Sequence, residues 1–91
     1  SITFSEGLTT IGSNAFSSCV ALEKVVIKGD LTAIGQNAFA SCSSLSTVEY
    51  YGTTEITAVS NVFFDTTLLF VSVTDAYPAA TFGGLMARKE L

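Results

Sequence analysis

The side chains with chemical potential in this sequence are two cysteines, eight carboxylates, four bases and many hydroxyls; histidine is absent. Cys19 and Cys42 stand 23 residues apart. As a zinc site they fall short, since two thiols with no histidine and no C-x-x-C pair do not complete a tetrahedral ligand set. As nucleophiles they lack an imidazole base. A disulfide between them needs a torsion near 90°, which two inward-facing side chains at a bend do not offer of necessity. The simplest reading left is a pair of free thiols acting as small apolar residues. The acids Glu6, Glu23, Asp30, Glu49, Glu55, Asp65, Asp75 and Glu90 are scattered. They form no D-x-D-x-D-G calcium loop, and no spacing singles out a pair for glycoside hydrolysis. Without histidine and without G-x-S-x-G, the hydroxyls make no hydrolase triad. Asn14, Asn37 and Asn61 are followed by Ala-Phe, Ala-Phe and Val-Phe, so none is an N-glycosylation acceptor. The expectation is a protein that is not an enzyme, with no metal site and no cofactor.

The 91 residues amount to one small domain or a piece of a larger one. At 48% apolar and 13% charged, the chain is too apolar for intrinsic disorder. It is also poorly charged for a lone domain, as if some apolar surface were meant to be covered. A net charge of -4 and a pI near 4.3 argue against nucleic acid and against anionic membranes. No run of about 18 apolar residues marks a transmembrane helix. The chain begins on "SITF", without Met or a signal-peptide pattern, which fits a processed chain or an excised fragment.

What organises these residues is repetition. "IGSNAFSSC" from Ile11 returns as "IGQNAFASC" from Ile34. Residues 8–27 align without a gap on residues 31–50, and eleven of the twenty positions are identical. A third unit is less regular. Leu68, Val71 and Val73 follow Leu45, Val48 and Tyr50 at the same step of 23. Ile56 and Val59 stand for Leu31 and Ile34 only after two extra residues near Gly52, and Phe63-Phe64 falls close to the Phe39 place. Backwards, Ile2 and Phe4 match Val25 and Ile27. Each unit holds one alternating stretch, "KVVIK" (24–28), "TVEYY" (47–51) and "LFVSV" (69–73), with the period of two of a half-buried strand. Partners one coil apart in sequence must run parallel. The opposite side, "LTTIGSNAF", is short. Gly12 and Gly35 suit a bend, and Asn14 and Asn37 a cap or turn into one helical or 3-10 turn at Ala-Phe. The fold expected is a mostly β repeat solenoid, with coils of about 23 residues, parallel strands on one face and short turns or 3-10 segments on the other. Coils occupy residues 1–73 and a cap occupies 74–91. In that cap Asp75 starts a helical turn, Gly83-Gly84 stops it, and residues 85–91 add an edge strand blunted by Arg88, Lys89 and Glu90.

The spacing Leu8, Ile11, Gly12, Ala15, Phe16, Cys19, Leu22, Val25, Ile27, repeated from Leu31 to Tyr50, resembles the BspA-like leucine-rich repeats, also called the Treponema pallidum type. Their units read L-x-x-I-G-x-x-A-F-x-x-C-x-x-L-x-x-V-x-I. That resemblance implies a leucine-rich-repeat superhelix, secreted or displayed on a cell surface, that is not catalytic and binds other proteins, such as host or matrix components.

Two surfaces follow. Outward on the strands lie Lys24, Val26 and Lys28, then Thr47, Glu49 and Tyr51, then Phe70, Ser72 and Thr74. The aromatic pair Tyr51 and Phe70 among polar groups makes this strand face the expected ligand site. The second surface is the uncovered start of the solenoid: Ile2, Phe4, Leu8, Ile11 and Phe16. The function expected is an extracellular or cell-surface protein-binding or adhesion module. The alternative is a structural subunit that stacks head-to-tail through its open ends into a filament.

Overall fold

The computed structural model describes residues 1–57 and 61–91, so Val59 lies outside the described residues. Eight strands follow one another: β1 (Ile2–Phe4), β2 (Thr10–Ile11), β3 (Lys24–Ile27), β4 (Ala33–Ile34), β5 (Thr47–Tyr50), β6 (Phe70–Val73), β7 (Thr81–Phe82) and β8 (Leu85–Lys89). One sheet has the order β1-β3-β5-β6-β8-β7, and β2 pairs with β4 in a second, smaller one. Every pairing is parallel except β7 on β8. Ile2 faces Val25 and Val25 faces Val48, while Phe4, Ile27, Tyr50 and Val73 form the neighbouring line. The sequence step of 23 is therefore the register of the sheet.

The turn side is built by the same ladder. Gly35 N–H donates to Ile11 O (2.7 Å), Phe16 N–H to Ala38 O (2.8 Å) and Ser18 N–H to Ala40 O (2.8 Å). One coil higher, Phe39 N–H donates to Val62 O (2.9 Å) and Ser41 N–H to Phe64 O (2.7 Å). They alternate with bonds inside each coil, Ala15 N–H to Gly12 O (3.2 Å) and Ser17 N–H to Asn14 O (3.2 Å), so the Ala-Phe segment makes separate short turns and no continuous helix. A donor aimed at the next coil is not free for its own helix. The chain instead takes a positive φ every fourth residue, at Asn14 and Ser18, Asn37 and Ser41, Asn61 and Asp65. Asn and Asp tolerate that left-handed conformation better than most residues. Gly35 serves close approach. A Cβ there would stand 2.5 Å from Ser13 Cα and 2.6 Å from the carbonyl carbon of Gly12 in the coil below.

The core lies between strand side and turn side. Val25, Ile27, Leu31, Leu45, Val48, Val71 and Val73 are buried in it. A column of rings runs through it: Phe16 on Phe39 at 5.4 Å and 6°, then Phe39 on Phe63 at 5.9 Å and 12°. Phe4 lies below Phe16, and Phe82 above Phe63. Phe39 is fully buried, whereas Phe16, with only Phe4 beneath it, is half-buried. Two tyrosines complete the interior. Tyr50 O–H donates to Thr54 O (2.9 Å) while accepting from Leu31 N–H (3.2 Å). Tyr77 repeats this with Thr81 O (2.6 Å) and Ile56 N–H (3.0 Å). Ile56 thus holds the Leu31 place two residues late, as the spacing predicted. Burial pushes both phenols above the usual tyrosine range.

Residues 74–91 differ from expectation in three ways. Tyr77 N–H bonds Thr74 O (3.1 Å) in a single turn, with no helical turn at Asp75. Gly83 and Gly84, at φ 56° and 95°, form a two-residue hairpin turn between Phe82 and Leu85. Gly-Gly suits a hairpin as well as a helix stop, and the hairpin is what carries Phe82 into the core. Finally, β8 is not the edge, because β7 pairs along part of it.

Phe39→Ala is expected to destabilise the fold by about 3–5 kcal/mol, because the ring it removes is packed on both faces. Equilibrium urea unfolding checks this. A midpoint near that of the parent would contradict the ring column.

Candidate functional site

The outer side of the main sheet carries Lys24, Lys28, Glu49, Tyr51, Phe70 and Arg88. Parallel pairing in register sets side chains of equivalent positions in rows across the strands. The first row is Lys24, Thr47, Phe70 and Met86; the second is Thr3, Val26, Glu49, Ser72 and Arg88. Lys28, Tyr51 and Thr74, just beyond the strand ends, make the third; Lys28 N–H to Phe4 O (3.1 Å) and Tyr51 N–H to Ile27 O (2.9 Å) continue the ladder there.

The groups of this face are tied to one another. Lys24 Nζ lies 3.6 Å from Glu49 Oε2, and Tyr51 O–H donates to Glu49 Oε1 at 3.2 Å. Lys28 Nζ sits 4.9 Å above the Tyr51 ring, and the Arg88 guanidinium 4.4 Å above the Phe70 ring. Arg88 also pairs with Glu90 at 2.9 Å, and Ser72 O–H donates to the same carboxylate at 3.3 Å. Loss of water and the Glu49 charge both push the Tyr51 phenol upward. A cation above a ring and a hydroxyl on a carboxylate both restrict otherwise loose side chains.

All eight residues expected on this face lie on it. Val26 and Ser72 do not stand free, however: they are 9% and 8% exposed. Both belong to the second row, and the Ser72 hydroxyl is engaged by Glu90. They form the floor of the face. Arg88, Glu90 and Met86 were missed as members of it. Arg88 follows Ser72 by only 16 residues, so the 23-residue period does not point to it. The signal was available in the alternation of residues 85–91.

At the other expected surface, Ile2, Phe4, Leu8 and Phe16 are half-buried against the core. Ile11 is not part of that uncovered end. It is 5% exposed, because Ile34 stacks on it and the outer four residues close over the core it belongs to.

No site for reaction chemistry emerges among the described residues. No group of three His, Cys, Asp or Glu side chains gathers to hold a metal. A shallow pocket of about 200 Å³ between Asn61–Phe64 and Gly83–Leu85 is lined by no ionisable side chain. Cys42 is buried and Cys19 half-buried, both as free thiols. Cys42 Sγ donates to Phe16 O at 3.1 Å, and burial raises its pKa. Cys19 escapes full burial for the same reason as Phe16: among the described residues no equivalent side chain stacks beneath it from a preceding coil.

Stacked parallel strands, a turn-side ladder and an apolar column between them define the leucine-rich-repeat class of β-solenoid. Residues 1–79 match the family model of the BspA type leucine rich repeat region (6 copies), and the chain belongs to that family. No curated protein and no solved structure matches the chain. Leucine-rich repeats of this family are protein–protein interaction modules, generally binding scaffolds without catalytic activity, and are commonly associated with cell surfaces. No helix among the described residues is long and apolar enough to cross a membrane.

The thiols give a direct check of the stacking. In the native state Cys19 is expected to react with a thiol reagent at mildly alkaline pH, and Cys42 only after denaturation, since a raised pKa and burial both withhold its thiolate. Mass spectrometry after timed alkylation reads this out. A disulfide-linked pair, or equal native labelling of both, would contradict it.

Proposed function

We propose that this chain is an extracellular or cell-surface adhesion module that grips a protein ligand with its strand face. The observation carrying this reading is that Tyr51 and Phe70 each lie under a cation on the open side of the sheet. Pre-ordered aromatic and arginine side chains lose little freedom on binding, and such residues dominate the energetics of protein interfaces. Residues 1–73 supply the coils of this platform. Residues 74–91 act as its cap, a role supported by the full burial of Tyr77 and Phe82 over the last coil. Surface plasmon resonance against a panel of purified matrix glycoproteins tests the reading. At least one is expected to bind, and Tyr51→Ala with Phe70→Ala to weaken that binding by at least roughly tenfold. Undiminished binding by the double variant would move the site elsewhere.

A second reading has its own support. Phe4 and Phe16 pack at 5.5 Å at one end of the solenoid, and among the described residues β1 pairs on one side only. Such an edge invites pairing with another chain. As a head-to-tail subunit, the protein would grow in sedimentation velocity as concentration rises, and Phe4→Glu would abolish the growth. A monomer at all concentrations removes this reading.

A further inference from the structure

The second row of the strand face lies lower than its flanks, with the Glu49 carboxylate between Val26 and Ser72 held by Lys24 on one side and Tyr51 on the other. Val26 and Ser72 are nearly covered, while Lys24 and Met86 on one side and Lys28 and Tyr51 on the other are exposed. The exposed Thr3 and Arg88 close the ends of the row. Together they outline a shallow trough that crosses the strands and follows the solenoid axis. We propose that this trough takes an extended segment of a partner protein carrying two acidic residues, laid across the strands from β3 to β8. The inference rests on the strand-face reading above and names the chemistry of its ligand.

Charge decides the sign of the ligand. Three of the four bases, Lys24, Lys28 and Arg88, stand on this face with only two of the eight acids, Glu49 and Glu90. The rest of the chain holds one base and six acids. A protein of net charge -4 thus presents one face of positive balance. Within it, Lys24 is committed to Glu49. Lys28 contacts the Tyr51 ring and has no carboxylate partner among the described residues. Arg88 shares the exposed Glu90 carboxylate, and exposed ion pairs of this kind exchange readily for an incoming carboxylate.

Geometry sets the spacing. From β3 to β8 there are three strand steps of about 4.8 Å, so the Lys28 and Arg88 positions are about 14 Å apart along the trough. An extended chain covers that in about four residues. Between its two acids the segment passes Glu49 and Ser72, where a third carboxylate would be repelled and a neutral donor such as an amide or hydroxyl fits. Tyr51 and the part-exposed Phe70 offer apolar contact to an adjacent side chain.

The test selects peptides of about 12 residues, long enough to span the trough, from a random library displayed on phage, using the immobilised protein. Labelled synthetic copies of the enriched sequences are then measured by fluorescence anisotropy. Enriched peptides are expected to carry two acids about four residues apart, and their binding to weaken as salt rises. Lys28→Glu with Arg88→Glu is expected to lower affinity by at least roughly tenfold, and Lys89→Glu to leave it unchanged. Neutral or basic winners that are lost with Tyr51→Ala and Phe70→Ala would overturn the acidic ligand and leave the strand face standing. Winners indifferent to both pairs of substitutions would overturn the strand face as well. Failure to enrich any peptide would overturn the trough.

Discussion

Everything in this protein depends on one requirement: backbone groups of each coil must meet those of the next at a constant rise. On the strand side the ladder fixes the spacing at about 4.8 Å. On the turn side, bonds such as Phe16 N–H to Ala38 O and Phe39 N–H to Val62 O hold the other end of each coil to the same rise. A side chain at any inward position must then accept its own counterpart one coil above and below. Flat rings, branched aliphatics and a thiol satisfy this. Gly35 satisfies it by having no side chain where two backbones nearly touch.

That requirement explains which parts of the architecture were legible. Strand positions, parallel order and register could be read because the alternation and the step of 23 are both written in Val25, Val48 and Val71. The turn side was harder. "SNAF" has the composition of a capped helical turn, and only the demand of the neighbouring coil diverts every second donor outward. The C-terminal segment was hardest, since Gly83-Gly84 serves a helix stop or a hairpin equally well, and Phe82 arbitrates only through a core that the sequence does not display. Tyr77 illustrates the point: its likeness to Tyr50 lies in what its hydroxyl bonds, not in its spacing.

The strand face was legible in membership and less so in depth. Alternation says which side of the sheet Val26 and Ser72 occupy; it does not say how little of either is left exposed. Depth comes from pairings across coils, and these involve residues such as Arg88 and Glu90 that fall outside the period. The family supplies the expectation of a protein partner, while the arrangement of bases and rings on the sheet narrows the surface that would meet it.

The main ladder also has a mechanical meaning. Its hydrogen bonds point from coil to coil, along the axis that joins the β1 end of the sheet to the β8 end. Tension applied along that axis does not shear the strands past one another. It loads the rungs one at a time, as a zipper is loaded, so coils peel off singly at modest force. Each 23-residue coil released would pay out about 80 Å of chain. A solenoid of this kind yields in steps under load and shortens again when the load is removed, with the coils still stacked providing the template for those that return.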